Sequence, residues 1–136
     1  MEILTEIFGK IEVSQEQSVF FADGLDKVSK VKDYVLLPVS EEEILYCLQA
    51  KDYPEISFFL IDPFVAVKDF RLQIQTESLQ AMGCNGDVLP DEVIVLCPFI
   101  KGNQPGDFSV DFMSPILINR EKHIGQQIKN NWKPMG

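Results

Sequence analysis

The sequence is short of the residues from which most catalytic and metal sites are built. Histidine occurs once, at His123, and tryptophan once, at Trp132. The three cysteines, Cys47, Cys84 and Cys97, are an odd number and widely spaced, with no Cys-x-x-Cys pair to suggest zinc or a redox couple. Neither a Gly-x-Ser-x-Gly elbow nor a phosphate-binding glycine loop is present. Basic residues are also scarce, 12 Lys and Arg against 21 Asp and Glu, and the net charge of −9 argues against a nucleic-acid surface, whose phosphate contacts come mainly from Lys and Arg. No apolar run reaches the about 18 residues that a membrane helix requires. The chain starts acidic, at Glu2 and Glu6, where a secretory signal would be basic, so a cytoplasmic location away from membranes is expected.

What the chain does contain is apolar: 46% of its 136 residues are hydrophobic, enough for one domain, expected over residues 1–136, with a single core. The charge is uneven. Residues 1–112 hold 20 acids and 8 bases, net −12, whereas residues 113–136 hold one acid, Glu121, and 4 bases, net +3. An acidic body of this kind steers a basic protein partner over about a Debye length; the plainer reading is that it keeps the chain soluble.

Short apolar runs broken by turn residues recur along the chain, the spacing of an all-β fold. Strands are predicted over 7–13, 18–21, 34–39, 44–49, 57–61, 69–75, 93–100, 108–112, 116–118 and 126–129. They should form a small closed or partly open antiparallel β-barrel or sandwich. Phe70, Leu72 and Ile74 alternate with Arg71, Gln73 and Gln75, which gives that strand one buried face. In contrast, 93–97 is apolar throughout and needs cover on both faces, after which Pro98 should limit further pairing. One short helix is predicted over 76–82, capped by Thr76, favoured by Glu77 at its positive end and stopped by Gly83. The turns at 85–89 and 103–106 are expected to be mobile.

Candidate chemistry is sparse. Cys47 and Cys97 lie within apolar runs and should be buried, inert thiols, while Cys84, between Gly83 and Asn85, is expected to be exposed. His123, beside Glu121 and Lys122, reads as a solvated loop residue without the positioned partner a general base needs. Glu41, Glu42 and Glu43 lack the alternating ligands and bend glycine of a calcium loop. Asp62 and Asp69 could approach one another, but no sugar-stacking tryptophan is near. The chain is expected to be no enzyme and to hold no metal or cofactor.

Its most informative segment is Ile56-Ser57-Phe58-Phe59-Leu60-Ile61-Asp62-Pro63-Phe64, an apolar strand that ends in one carboxylate, a rigid ring and an aromatic. That suits docking better than turnover. Two classes remain, a regulatory binding module and a small β-barrel enzyme or ligand carrier, and the lack of convergent polar groups favours the first.

Together with Leu48-Gln49-Ala50-Lys51-Asp52-Tyr53-Pro54 before it and Ser109-Val110-Asp111-Phe112-Met113-Ser114-Pro115-Ile116-Leu117-Ile118-Asn119 after it, this segment resembles the flagellar assembly factor FliW family over nearly the full chain. Gly24-Leu25 followed by Tyr34 to Pro38, the Asp69-Phe70 pair, the 79–83 turn and Gly125-Gln126-Gln127 keep the same order. After Gly24-Leu25 the family usually continues with proline, glycine and phenylalanine; Asp26, Lys27 and Val28 stand here, and Asp111 replaces a usual asparagine. The resemblance implies a non-catalytic regulator, monomeric when free, that binds cytoplasmic flagellin and, when released, binds and antagonises the translational repressor CsrA. It carries over as partner-binding positions Gln49, Asp62, Pro63, Phe64, Asp69, Phe70, Asp111, Ser114, Pro115 and Asn119.

Overall fold

A computed structural model describes residues 1–84 and 90–134, with the Lys101 side chain outside that description. The expected mobile turn at 85–89 therefore falls outside the described residues; 103–106 forms an exposed turn. The described residues form ten strands: β1 (Glu2–Thr5), β2 (Gly9–Glu12), β3 (Ser18–Phe21), β4 (Asp33–Pro38), β5 (Leu45–Ala50), β6 (Ser57–Ile61), β7 (Val93–Lys101), β8 (Phe108–Val110), β9 (Ile116–Asn119) and β10 (Ile124–Gln127). Among the described residues two short α-helices, α1 (Pro63–Ala66) and α2 (Thr76–Ala81), and a 3-10 turn at Gln15–Gln17 join them.

Seven strands close a barrel in the order β3-β4-β5-β6-β7-β9-β10, shut by the pairing of β10 with β3. Closure leaves no long edge exposed around most of the ring. The antiparallel barrel expected from sequence is present with one exception in its ring: β10 and β3 run parallel. An odd number of strands requires this, because six reversals around seven strands bring the last back in the direction of the first. Gly125 sits at that seam, where a Cβ would come within 2.5 Å of the Phe21 ring. Only glycine lets the two strands and that ring meet.

Alternate strand residues point inward, and the barrel is filled. Val19, Phe21, Tyr34, Leu36, Tyr46, Leu48, Leu60, Leu96, Ile116 and Ile118 form one buried cluster, and Phe21 meets the Tyr34 ring edge-on at 5.5 Å. Burial pushes the Tyr34 hydroxyl up to about 12. Residues facing outward from the same strands are covered twice. The β1–β2 hairpin lays Ile3, Ile11 and Val13 over Val35 and Leu37 of β4, which explains why 34–37 is apolar at every position. Val93, Val95 and Cys97 of β7 are covered by Phe70, Leu79 and Met82, while Ile94 and Leu96 face the barrel interior. The two-faced burial expected of 93–97 is thus observed.

Several expectations need correction. The strand placed at 7–13 is a hairpin whose first arm begins at Glu2, with Thr5 Oγ1 donating to Gly9 O at 2.9 Å and accepting from Phe8 N at 2.8 Å across the turn. Residues 69–75 form no ladder. The predicted alternation is real, with Phe70 buried, Leu72 and Ile74 half-buried and Arg71, Gln73 and Gln75 exposed, but no strand lies beside the segment. The Asn130 side chain takes that place: Oδ1 accepts from Gln73 N at 3.1 Å, and Nδ2 donates to Arg71 O at 3.1 Å and Phe112 O at 3.2 Å. A carboxamide presents the same donor and acceptor as a peptide group.

Pro98 does not end pairing. It stands opposite Leu60, and its carbonyl accepts from Asp111 N at 2.8 Å; lacking only the N–H, it marks where β7 passes from β6 to β8. The last strand lies at Ile124–Gln127 rather than 126–129. Helix α2 is stopped as expected by Gly83 at φ +74°, but Gln75, not Thr76, is its N-cap and no side chain caps it. A second short helix, α1, was not foreseen.

Candidate partner-binding site

Asp62, Pro63 and Phe64 make the start of α1 rather than an open corner. Pro63 occupies the first helical turn, where its missing N–H costs nothing, and Asp62 Oδ1 accepts from Phe64 N at 2.9 Å as the N-cap. Pro63 is buried, while Phe64 is 52% exposed and Val65 58% exposed. The Phe64 ring packs T-shaped against Phe70 at 5.1 Å.

Phe70 is the hub of the patch. Itself 6% exposed, it meets Phe64, Phe112 at 5.9 Å and Trp132 at 5.2 Å, and Phe112 meets Trp132 at 5.4 Å. Aromatic pairs of this geometry contribute about 0.5–1.5 kcal/mol each beyond their buried area. The result is a four-ring layer on the outer face of the barrel, with Phe64 at its rim and Met113, 39% exposed, next to Phe112 in the chain. Asp62, Asp69 and Asp111 belong to the same region. Asp111 Oδ1 accepts from Met113 N at 3.1 Å, and both Asp62 and Asp111 act on the buried Cys97 thiol, which is pushed up to about 12 chiefly by burial and then by those two carboxylates.

The ten positions carried over from the resemblance therefore divide. Asp62, Pro63, Phe64, Asp69, Phe70 and Asp111 share the aromatic layer and its borders. Ser114 and Pro115 follow it in the chain, where the Ser114 carbonyl accepts from Gln127 Nε2 at 3.0 Å and the buried Pro115 carbonyl accepts from Ile128 N at 3.0 Å. Gln49 and Asn119 lie elsewhere and are fully buried. Gln49 Nε2 gathers the carbonyls of Ala50 at 3.0 Å, Tyr53 at 3.2 Å and Ile56 at 3.1 Å around the β5–β6 turn. Asn119 ties α2 to the β9–β10 turn, donating to Met82 O at 2.9 Å and accepting from Glu121 N and Lys122 N at 3.1 Å. No surface is left on either side chain for a partner.

Phe112 and Trp132 were missed by sequence reasoning. Trp132 lies in the basic segment 113–136, and no local pattern there announces that it packs onto Phe70. Cys84 is buried, 5% exposed, where an exposed thiol was expected; it lies in the layer beneath Phe70 and within 3.7 Å of Asn119 Nδ2. Cys47 and Cys97 are buried as expected, and burial pushes Cys47 up to about 11. His123 is half-buried and at φ +61°, not a solvated loop residue, with Nδ1 3.2 Å from Ser18 O and its own carbonyl accepting from Phe20 N.

A protein-family model described as FliW protein matches residues 2–133. The chain belongs to the FliW family. It is similar to the flagellar assembly factor FliW of Leptospira interrogans, 29% identical over 127 residues that cover 93% of this chain and 83% of that protein. The flagellar assembly factor FliW of Heliobacterium modesticaldum is 30% identical over 129 residues, 94% of this chain and 82% of its own length. The crystal structure of a flagellar assembly factor FliW superposes with a TM-score of 0.81, covering 98% of this chain and 91% of that one at 24% identity, and so shares the fold.

One departure from the FliW pattern has a visible backbone consequence. Val28 N donates to Leu25 O at 3.0 Å, and Lys27, third in that turn, has φ +71°. A positive φ at the third position is the type II signature, the turn that favours proline second and glycine third. Lys27 adopts the glycine's conformation without its freedom. Asp26 keeps an N–H that proline would lack, and Gln127 Oε1 accepts from it at 2.8 Å.

Proposed function

We propose that the chain is a non-catalytic, cytoplasmic partner switch, monomeric when free, that binds flagellin and, when released, binds and antagonises the translational repressor CsrA. The observation that carries this reading is the outer aromatic layer: Phe64 and Val65 stand exposed on a proline-started helical turn, backed by buried Phe70 and bordered by Asp62 and Asp111. A rigid aromatic anchored from below loses little conformational freedom on docking, the usual character of a binding hot spot. Acidic neighbours and a net charge of −9 suit a basic partner such as an RNA-binding repressor. Bound to such a protein, the acidic body would also repel RNA phosphates without occupying the RNA site.

The non-catalytic part of the reading is supported by the state of the reactive side chains. All three thiols are buried, and the single histidine has its Nδ1 beside a main-chain carbonyl. The ligand-carrier alternative finds no support in a barrel whose interior is occupied by its own side chains.

The test is a competition gel shift with the same organism's repressor and flagellin leader RNA. Added protein should release the RNA, flagellin added next should restore the RNA complex, and association should slow as salt rises. If the protein bound neither partner at about micromolar concentration, near 8 kcal/mol of binding free energy, the proposed switch would be wrong while the fold stood.

A further inference from the structure

The barrel closes, yet β10 keeps an open edge. β3 leaves the ladder after pairing Phe20 and Phe21 with Ile124 and Gly125. The chain of β10 continues along β9, with Ile128 N donating to Pro115 O at 3.0 Å and Asn130 N to Met113 O at 2.9 Å. Alternate residues of an antiparallel ladder turn their main-chain groups to opposite sides. Since Ile128 and Asn130 face β9, Gln127 and Lys129 face away from it, into the space β3 has left. Among the described residues neither has a main-chain partner there.

That space is a cleft of about 450 Å³ between β10 and the segment before α2, with Gln73, Gln75, Ser78, Gln126, Gln127 and Lys129 in its walls. It shares Gln126 and Gln127 with a smaller recess of about 60 Å³ against Gly24 and Ala81. Two features indicate what it takes. Gln126 Oε1 is buried without a donor among the described residues, so its side chain gains a hydrogen bond if it turns into the cleft to meet a bound N–H. The larger cleft is also lined by no carboxylate and by one lysine, Lys129, in a chain of 21 acids and 12 bases.

We propose that the open edge of β10 docks an extended acidic segment of another polypeptide, which adds a strand along Gln127 and Lys129. Main-chain hydrogen bonds supply affinity in such strand addition, and the flanking side chains supply selectivity. The amide walls satisfy polar side chains of the added strand, and Lys129 pairs with its carboxylates. This site is separate from the aromatic layer around Phe64 and does not depend on the partners proposed for it.

The experiment titrates the isotope-labelled full chain with a short capped peptide of alternating threonine and glutamate, followed by nuclear magnetic resonance. The backbone amides of Gln127 and Lys129 and the Gln126 side-chain amide should shift. Lys129→Glu, a threonine–lysine peptide, and the acidic peptide methylated on alternate amides should each weaken binding by about tenfold or more, with the circular dichroism of the variant unchanged. Phe64→Ala should leave it unchanged. The proposal is overturned if the methylated or basic peptide binds equally well, if the shifts fall elsewhere, or if none occurs at about 1 mM peptide. Concentration-dependent shifts of the same amides without peptide would also overturn it, by showing a second copy on that edge.

Discussion

The inside of the barrel and the layer outside β7, β9 and β10 are both apolar, but they are held by different means. Inside, most residues stand on strands whose neighbours are fixed by ladder hydrogen bonds, and the ring of strands has no loose member. Outside, Phe70, Leu72 and Ile74 lie on a segment with no ladder, tied by one carboxamide, Asn130, and by rings from the tail. The difference teaches where this fold keeps its stability and where it can vary its surface. Elements with few shared hydrogen bonds open at lower free energy than the ladder they cover, and binding surfaces are placed on such elements by a rigid scaffold.

Truncating the interior should have the largest effect. Leu48→Ala, at a fully buried site, should cost about 2–5 kcal/mol by loss of apolar transfer and a residual cavity, read as a lower denaturant midpoint. Asn130→Ala removes three hydrogen bonds from the outer layer and should cost about 1–3 kcal/mol. Its signature is regional: amide exchange should quicken at Gln73 while barrel amides stay protected. Equal loss of protection in both regions would erase the distinction between them.

Alkali tests the barrel wall through two buried thiols on its outward faces. Cys97 in the outer wall and Cys47 hold their protons to about 12 and about 11, against an ordinary 9.0. Between pH 9 and those values the unfolded chain has released protons that the native chain keeps, so stability is full below about 9 and falls as pH rises, by up to about 1.4 kcal/mol per unit for each thiol. Unfolding midpoints measured between pH 8 and 11 should show this decline, and the double variant Cys47→Ala, Cys97→Ala should flatten it up to about pH 10, above which buried Tyr34, held up to about 12, keeps a decline of its own. The smallest effect is expected in the 25–28 turn, where Lys27→Gly should raise stability by about 0.5–1 kcal/mol by removing left-handed strain. A fall in stability there would mean that Lys27 makes contacts worth more than the strain.

Much of the barrel was legible in the sequence because its strands are local apolar runs: 57–61 coincides with β6, and 34–39 and 44–49 lie within one residue of β4 and β5 at each end. β1 was illegible because Glu2 and Thr5 give it no apolar run and its only ladder is with β2. At 69–75 period-two burial was read correctly and the ladder wrongly; alternation reports which face is covered, not whether a strand lies alongside. The partner of that segment, Asn130, is distant in sequence, and no local pattern announces such a bond. The site was half legible for a related reason. Asp62-Pro63-Phe64 signals a rigid exposed aromatic by local rules, whereas the meeting of Phe70, Phe112 and Trp132 is a product of tertiary folding alone.

The central claim is that the outer layer binds while the barrel stabilises, and Phe64→Ala tests it most directly. Calorimetric titration with the repressor and with flagellin, alongside thermal unfolding of the same variant, separates the two roles. The account predicts affinity for at least one partner weakened about tenfold or more, near 1.4 kcal/mol or above, with a melting temperature within about 3 °C of the parent. A variant that melts far lower yet binds both partners as before would contradict it, by assigning Phe64 to the core instead of the interface.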